Sequence, residues 1–255
     1  MQQQLFGTVG NLAEHKRLLT HTLKLEREWG DDHGVTLVLR YLSSSNWRMD
    51  LTEEGIQQAK EALEIYEQLG DTKGQTGCLI RLTLLLSCDN QFEAAEEAAL
   101  RTINLSSEKG DQFRLCDSHR ALGYIYDSKG ETKKAIHHLE VALGIASPFN
   151  WHDQLFGAHH YLAWLFCSEG RLDDANTHIE RAKLHTDNSA YHLGAVMEKQ
   201  AVIWHMQHGL EDARSETLCA IDIYEKVGTT KDIEGCRKLL RNIERELDAP
   251  VASSQ

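Results

Sequence analysis

The sequence is poor in proline, lacks long hydrophobic runs and carries too few positive charges to balance its acidic ones. Only Pro148 and Pro250 occur among 255 residues. A chain of this length built from many short strands needs more turn-forming residues, so an all-α fold is predicted. No apolar run reaches the length of a membrane span, and the residues after Met1 lack the basic start and apolar core of a signal peptide.

Charge and cysteine content restrict the partners and the compartment. The net charge is −12, from 39 acidic and 27 basic residues, which disfavours nucleic acid or a membrane surface as a partner. No two cysteines have CxxC spacing, and most fall within helical patterns. We therefore expect reduced thiols that pack as small hydrophobic residues in a cytoplasmic protein. The six are Cys78, Cys88, Cys116, Cys167, Cys219 and Cys236.

A repeat of 40 residues organises the chain. Gly30-Asp31, Gly70-Asp71 and Gly110-Asp111 recur at intervals of 40, and Asn150 continues the series. Each unit has the apolar pattern of two amphipathic helices joined by a short turn, and neither helix can bury its apolar face alone. Stacking of the units buries these faces, so an all-α solenoid of antiparallel helix pairs is predicted.

Small and large residues recur at fixed positions of the unit. Small residues let two helix backbones approach closely, and large apolar residues fill the space to the next unit. One small column comprises Ser43, Thr83, Gly123, Ala163 and Ala201, and a second comprises Gly55, Ala95, Ala135, Ala175 and Ala213. A large column comprises Leu86, Tyr126, Phe166 and Trp204.

The same pattern sets the predicted boundaries. A repeat domain spans 11–248, after a lead at 1–10 and before a flexible tail at 249–255. It divides into a half-unit at 11–29, full units at 30–69, 70–109, 110–149, 150–189 and 190–227, and a capping helix at 228–248. Left-handed helix ends are predicted at Gly30, Gly70, Gly110, Gly130, Gly170 and Gly228, because glycine adopts this conformation without steric cost.

One unit carries a pattern that resembles a tetratricopeptide (TPR) motif. The pattern consists of Leu122-Gly123, Tyr126, Ala135, Leu139, Ala142 and Pro148. The spacing of 40 resembles the TPR subclass of kinesin light chains and STAND ATPases, and residues 62–71 are similar to the C-terminal TPR regions of fungal NACHT or NB-ARC proteins. The resemblance implies a right-handed superhelix that binds proteins or peptides on its concave face. In a STAND protein it further implies association with an NTPase module elsewhere, because this sequence has no GxxxxGK[ST] run.

Motifs for catalysis, cofactors and metals are missing from the sequence. It has no GxSxG motif, no kinase motif set and no glycine-rich phosphate loop, so we predict neither an enzyme nor a bound cofactor. His205 and His208, with Glu211 one turn later, have the only spacing that resembles a metal site. Two histidines without a clear third ligand do not define a site, so no metal is predicted.

The predicted ligand groove lies on the inner face of the first helices. A cation followed one turn later by an aromatic side chain suits a peptide that carries carboxylates between apolar residues. The candidates are Arg40, Trp47, Arg81, Arg120, Tyr124, His160 and Trp164. Two alternatives stay open, because the tryptophans can pack between units and Arg120 can pair with Asp117. A purely architectural or self-associating array without a groove ligand is the alternative function.

Overall fold

The computed structural model describes residues 9–49 and 51–248, and these residues form helices without any strand. The helices are α1 (Val9–Trp29), α2 (Asp32–Arg48), α3 (Thr52–Gln68), α4 (Thr72–Cys88), α5 (Phe92–Lys109), α6 (Gln112–Ser128), α7 (Thr132–Ala146), α8 (His152–Ser168), α9 (Leu172–Lys183), α10 (Ala190–Met206), α11 (Leu210–Val227) and α12 (Thr230–Leu247). A short 3-10 turn, Ser147–Phe149, links α7 to α8. None of the described helices is long and apolar enough to cross a membrane.

The predicted helix ends agree closely with the observed ones. The six predicted glycines all have positive φ, from 68° at Gly70 and Gly110 to 84° at Gly228. Asp71 and Asp111 begin α4 and α6, where each carboxylate accepts a hydrogen bond from the backbone N–H three residues later. Helix α9 ends at Lys183, without a left-handed glycine.

The connection from α9 to α10 is a structured turn. Asp187 and Asn188 both take left-handed backbone conformations, with φ of 49° and 60°. Ser189 then accepts a hydrogen bond from the backbone N–H of His192 and begins α10. The two left-handed residues lie four and five positions beyond the end of α9, so they shape the turn that leads into α10 and not the end of α9 itself.

The columns of small residues form the helix contacts, as predicted. The alanines at positions 95, 135, 175 and 213 are completely buried, as are Ala163 and Ala201. Where serine stands in the column its hydroxyl is satisfied, because Ser43 Oγ donates to the carbonyl oxygen of Gly55 at 2.9 Å. This bond joins the two small columns of one helix pair directly.

The chain divides into two compact units within the first turn of α7, between Ala135 and Ile136. In unit 1, consecutive helices from α1 to α6 pack in sequence order, and α2 contacts α4 while α4 contacts α6. In unit 2, α8 to α12 pack in the same serial manner, and α8 also contacts α10. Contacts between neighbouring hairpins of this kind are typical of a helical repeat solenoid.

Candidate ligand-binding groove

The predicted groove residues lie on the first helix of each hairpin. We call the side of α2, α4 and α6 in unit 1, and of α8 and α10 in unit 2, the first-helix face. The side chain of Trp47 lies outside the described residues, so the structure does not place it. The remaining six candidates fall into two groups, one on each unit.

A cleft lies between α2 and α4 in unit 1. Its volume is about 180 Å³. It is lined by Leu37, Arg40, Tyr41, Ser43, Ser44, Ala59, Gly77, Cys78 and Arg81. Arg40 and Arg81, two of the predicted residues, are thereby brought into one recess although they come from successive repeats. Tyr41 and Leu37 remain about half exposed, with 53% and 47% of their surface open to solvent, so the rim of the cleft offers apolar contact area.

Both arginines influence the pKa of Cys78, a buried residue that lines the cleft. Cys78 is completely buried beneath them. Burial raises the pKa of the Cys78 thiol to about 11, and the positive charges of Arg40 and Arg81 both oppose that rise. Both guanidinium groups therefore lie close enough to influence the same thiol. Arg40 is exposed and forms no ion pair with any described carboxylate, so its charge is open to a ligand.

Arg120 has a different environment on α6. Its Nη2 lies 3.4 Å from Oδ1 of Asp117, three residues earlier, so the alternative of an internal pair is the one that the structure shows. The ion pair uses only part of the guanidinium, because its Nε is buried without a hydrogen-bond partner. Tyr124, one turn later on the same helix, is partly exposed. Arg120 thus contributes less free positive charge than Arg40.

His160 on α8 is a neutral bridging group. Its Nε2 lies 3.3 Å from the carbonyl oxygen of Ala195 on α10, and its ring stacks on Phe156. Burial lowers the pKa of His160 to about 4, and the charge of Lys199 acts in the same direction. At neutral pH the ring therefore carries no charge, which corrects the expectation that His160 extends the positive stripe of the arginines.

Lys199 on α10 lies beside Trp164, the other predicted groove residue of unit 2. Its Nζ lies 5.2 Å from the ring centroid of Trp164 and 3.2 Å from a carboxylate oxygen of Glu198. Trp164 keeps 42% of its surface exposed, so its ring is available beside this cation. The sequence signal for Lys199 is weak, since it stands one position beyond the column of predicted groove residues.

His205, one of the two histidines with metal-like spacing, forms an ion pair instead. His205 Nε2 lies 2.8 Å from a carboxylate oxygen of Glu246 on α12, so it pairs across the last helix contact. Within the described part of the chain, no group of three or more His, Cys, Asp and Glu side chains is arranged to hold a metal ion.

Solved structures with this architecture provide the comparison. The Rap protein in complex with competence and sporulation factor superposes with a TM-score of 0.69 at 15% identity, covering 93% of this chain and 71% of that one. The apo form of the quorum sensor NprR from B. thuringiensis gives 0.71 at 11% identity, covering 94% and 69%. A STAND protein with a tetratricopeptide repeat sensor from Pyrococcus horikoshii gives 0.69 at 17% identity, covering 89% and 36%.

The chain has a TPR-like fold. The TPR resemblance and the predicted all-α class are thus confirmed at the level of the fold. No protein-family model matches the sequence, and no curated protein matches it at a significant level. At such low identities the solved structures show the architecture alone. The function of the TPR-like array must therefore be argued from the clefts and side chains of this chain.

Proposed function

We propose that the chain is a non-enzymatic, cytoplasmic binding array whose first-helix face recognises a protein or peptide that carries carboxylates. The observation that carries this proposal is the α2–α4 cleft. It holds two guanidinium groups in one recess on a chain whose net charge is −12. A positive recess within a negative molecule selects for a local carboxylate and disfavours an extended polyanion.

The chemistry of the cleft indicates the form of its ligand. A guanidinium group presents a planar set of donors that matches the two oxygens of a carboxylate. Tyr41 and Leu37 at the rim suit an apolar residue beside that carboxylate. Exposed ion pairs contribute only about 0.2–1 kcal/mol each and weaken with salt, so affinity should be modest and should fall as ionic strength rises.

On unit 2 the exposed ring of Trp164 is the proposed apolar anchor. Lys199 beside it adds a cation, and Glu198 holds that lysine in place. A central aromatic anchor contributes roughly 2 kcal/mol or more when a ligand covers it. Tyr124 on α6 is proposed to play a similar part on unit 1.

The solved structures support a binding role in two ways. One was solved in complex with competence and sporulation factor, and another is described as a quorum sensor. A third contains a TPR sensor within a STAND protein, which supports a role of this chain as the sensing arm of an assembly with an NTPase module. The six free cysteines fit a reducing compartment.

The test uses a library of random peptides displayed on phage and selected on the full chain. The charge-removing variant is Arg40→Ala with Arg81→Ala. A matched control, Arg27→Ala with Arg101→Ala, also removes two positive charges from unit 1. Both control arginines lie on second helices, where they pair with Glu61 and Glu67.

The proposal expects enriched peptides that contain Asp, Glu or a free C-terminus next to an apolar residue. These peptides should bind the control variant as they bind the parent, and should lose roughly 2- to 30-fold in affinity on the cleft variant. Selected peptides without carboxylates, or equal binding to the cleft variant, would overturn the proposed cleft. A selection without any enrichment would favour the architectural alternative.

A further inference from the structure

Four histidines form a continuous row between α8 and α9. His152 and His159 lie seven residues apart on α8, and His178 and His185 lie seven residues apart along α9 and the turn that follows it. The two helices are antiparallel, so the earlier histidine of α8 faces the later histidine of the α9 segment, and the later one faces the earlier one. The row therefore consists of two facing pairs, His159 with His178 and His152 with His185.

The rings of the row are close enough to share protons. The Nδ1 atoms of His159 and His178 are 3.0 Å apart, and those of His152 and His185 are 3.4 Å apart. His159 and His185 join the two pairs, with parallel rings and centroids 6.2 Å apart. His159 is only 7% exposed, while the other three histidines are partly buried.

The charged groups around the row come mainly from α9 and from the turn after it. Arg181 acts on both His159 and His178, and Arg171 and Asp174 act on His178. Asp187 lies 3.7 Å from Nδ1 of His152 and also acts on His185.

The aromatic neighbours of the row complete its surroundings. The ring of Phe166 on α8 packs against His178, with centroids 5.3 Å apart. From α10, which packs against both helices, His192 stacks on Phe156 of α8. The inner pair thus lies among apolar rings and two arginines, with Asp174 as the acidic group nearest to it.

The contact between His159 and His178 restricts how many protons the pair can hold. One Nδ1–H can donate to the other Nδ1 only if the second nitrogen is unprotonated. Two imidazolium rings would place two N–H groups against each other, and both charges would be partly buried. The described contact therefore needs at least one neutral ring, and burial near Arg181 favours two.

The repeat contains this interface both with and without histidine, since forty residues earlier the same positions are occupied by His119 and His138. Eighty residues earlier, the positions of His159 and His178 are occupied by Leu79 and Ala98. Both are buried in unit 1, on the α4–α5 hairpin. An apolar pair thus serves the same place in the fold, and the histidines add a property that the apolar pair lacks.

We propose that the α8–α9 hairpin is an acid-sensitive element, which is packed while its histidine row is neutral and opens when the row takes up protons. This inference goes beyond the proposed ligand and does not depend on it. It assigns to the α8–α9 hairpin a response to moderate acidification that the α4–α5 hairpin, with Leu79 and Ala98 at the same positions, does not share.

The direction of the pKa shifts agrees with this geometry. Burial lowers the pKa of His159 to about 3 and that of His178 to about 4, and burial also lowers the pKa of His185. The unfolded chain binds these protons near pH 6.5, so stability is complete above that pH and is lost as pH falls towards the folded values. At pH 5 each of the two inner histidines should favour opening by about 30-fold.

The experiment measures urea unfolding of the full chain by circular dichroism at pH 7 and pH 5. The repeat-restoring variant, His159→Leu with His178→Ala, introduces the residues that stand at these positions in the α4–α5 hairpin. The control, His21→Gln with His33→Gln, changes two exposed histidines. We expect the parent and the control to lose much of their stability between pH 7 and pH 5, and the repeat-restoring variant to lose clearly less.

A second measurement uses the unmodified chain and does not require the variant to fold. Histidine hydrogen exchange followed by mass spectrometry gives a titration midpoint for each ring. The proposal expects midpoints below pH 5 for His159 and His178. Midpoints of 6 or higher for both, or a repeat-restoring variant that keeps the full pH dependence of the parent, would overturn it.

Discussion

Gly74 and Gly34 offer a matched test of how closely the helices approach. Both glycines stand at the same position of successive repeats, near the start of α4 and of α2. A methyl group added at Gly74 would overlap the ring of Tyr66, which is buried on α3. At Gly34 the same methyl would meet the carboxylate end of Glu26, a flexible side chain that can move aside.

The opposing contributions can be estimated separately. Alanine in place of glycine stabilises a helix interior by roughly 0.5–1 kcal/mol, and both substitutions gain this amount. Overpacking a closed contact costs roughly 1–3 kcal/mol, and only Gly74→Ala incurs that cost, because Tyr66 is enclosed. We therefore expect Gly34→Ala to stabilise the chain by about 0.5 kcal/mol, and Gly74→Ala to destabilise it by about 1–2 kcal/mol.

Urea unfolding followed by circular dichroism checks both values. The double variant Gly74→Ala with Tyr66→Leu removes the ring, so it should be less destabilised than the sum of its two single changes. If Gly74→Ala proved as stable as Gly34→Ala, the close approach of α3 and α4 at Tyr66 would be refuted.

Three further predictions concern a helix cap, an ion pair and an open glycine. Asp71→Ala removes the acceptor for the Gly74 N–H and should lower the free energy of unfolding by about 1 kcal/mol, seen as a lower urea midpoint. Glu96 accepts from Lys129 Nζ at 2.7 Å, and this bond lowers the pKa of its carboxyl group. The stability difference between the parent and Glu96→Gln should therefore shrink as pH falls below 4.5, and a difference independent of pH would contradict the pairing. Gly144→Ala on α7 meets no atom within 4 Å and should raise the thermal midpoint, whereas a decrease would reveal an unrecognised contact.

The fold was largely predictable because its signal is repeated. A small residue recurs at the same position in several units, so a chance occurrence in one unit can be recognised by comparison with the others. Glycine at the helix ends gave the boundaries, since only a left-handed residue closes those helices easily. The positive φ of Asp187 and Asn188, in the turn after α9, was not predicted, because no glycine signals it.

The site was predictable only in part, because side-chain partners across helices are not periodic. Arg40 was found because it shares a column with Arg120, and Arg81 stands one position beyond that column on the same helix face. The neutral state of His160 depends on a carbonyl of α10, and Lys199 reaches Trp164 from that same helix. The histidine row was not predicted, because its members are not close in the sequence. The partner of His159, His178, is 19 residues away across the hairpin.

The thiol at the floor of the α2–α4 cleft gives the protein a built-in reporter. Cys78 is enclosed and has a raised pKa, whereas Cys88, near the end of the same helix, is exposed. A small neutral alkylating reagent should therefore modify Cys88 rapidly, and should reach Cys78 only when Arg40 and Arg81 separate. The modification rate of one thiol relative to the other thus measures how often the cleft is open. Any molecule that occupies the recess can be detected by its effect on that ratio, without a label and before its identity is known.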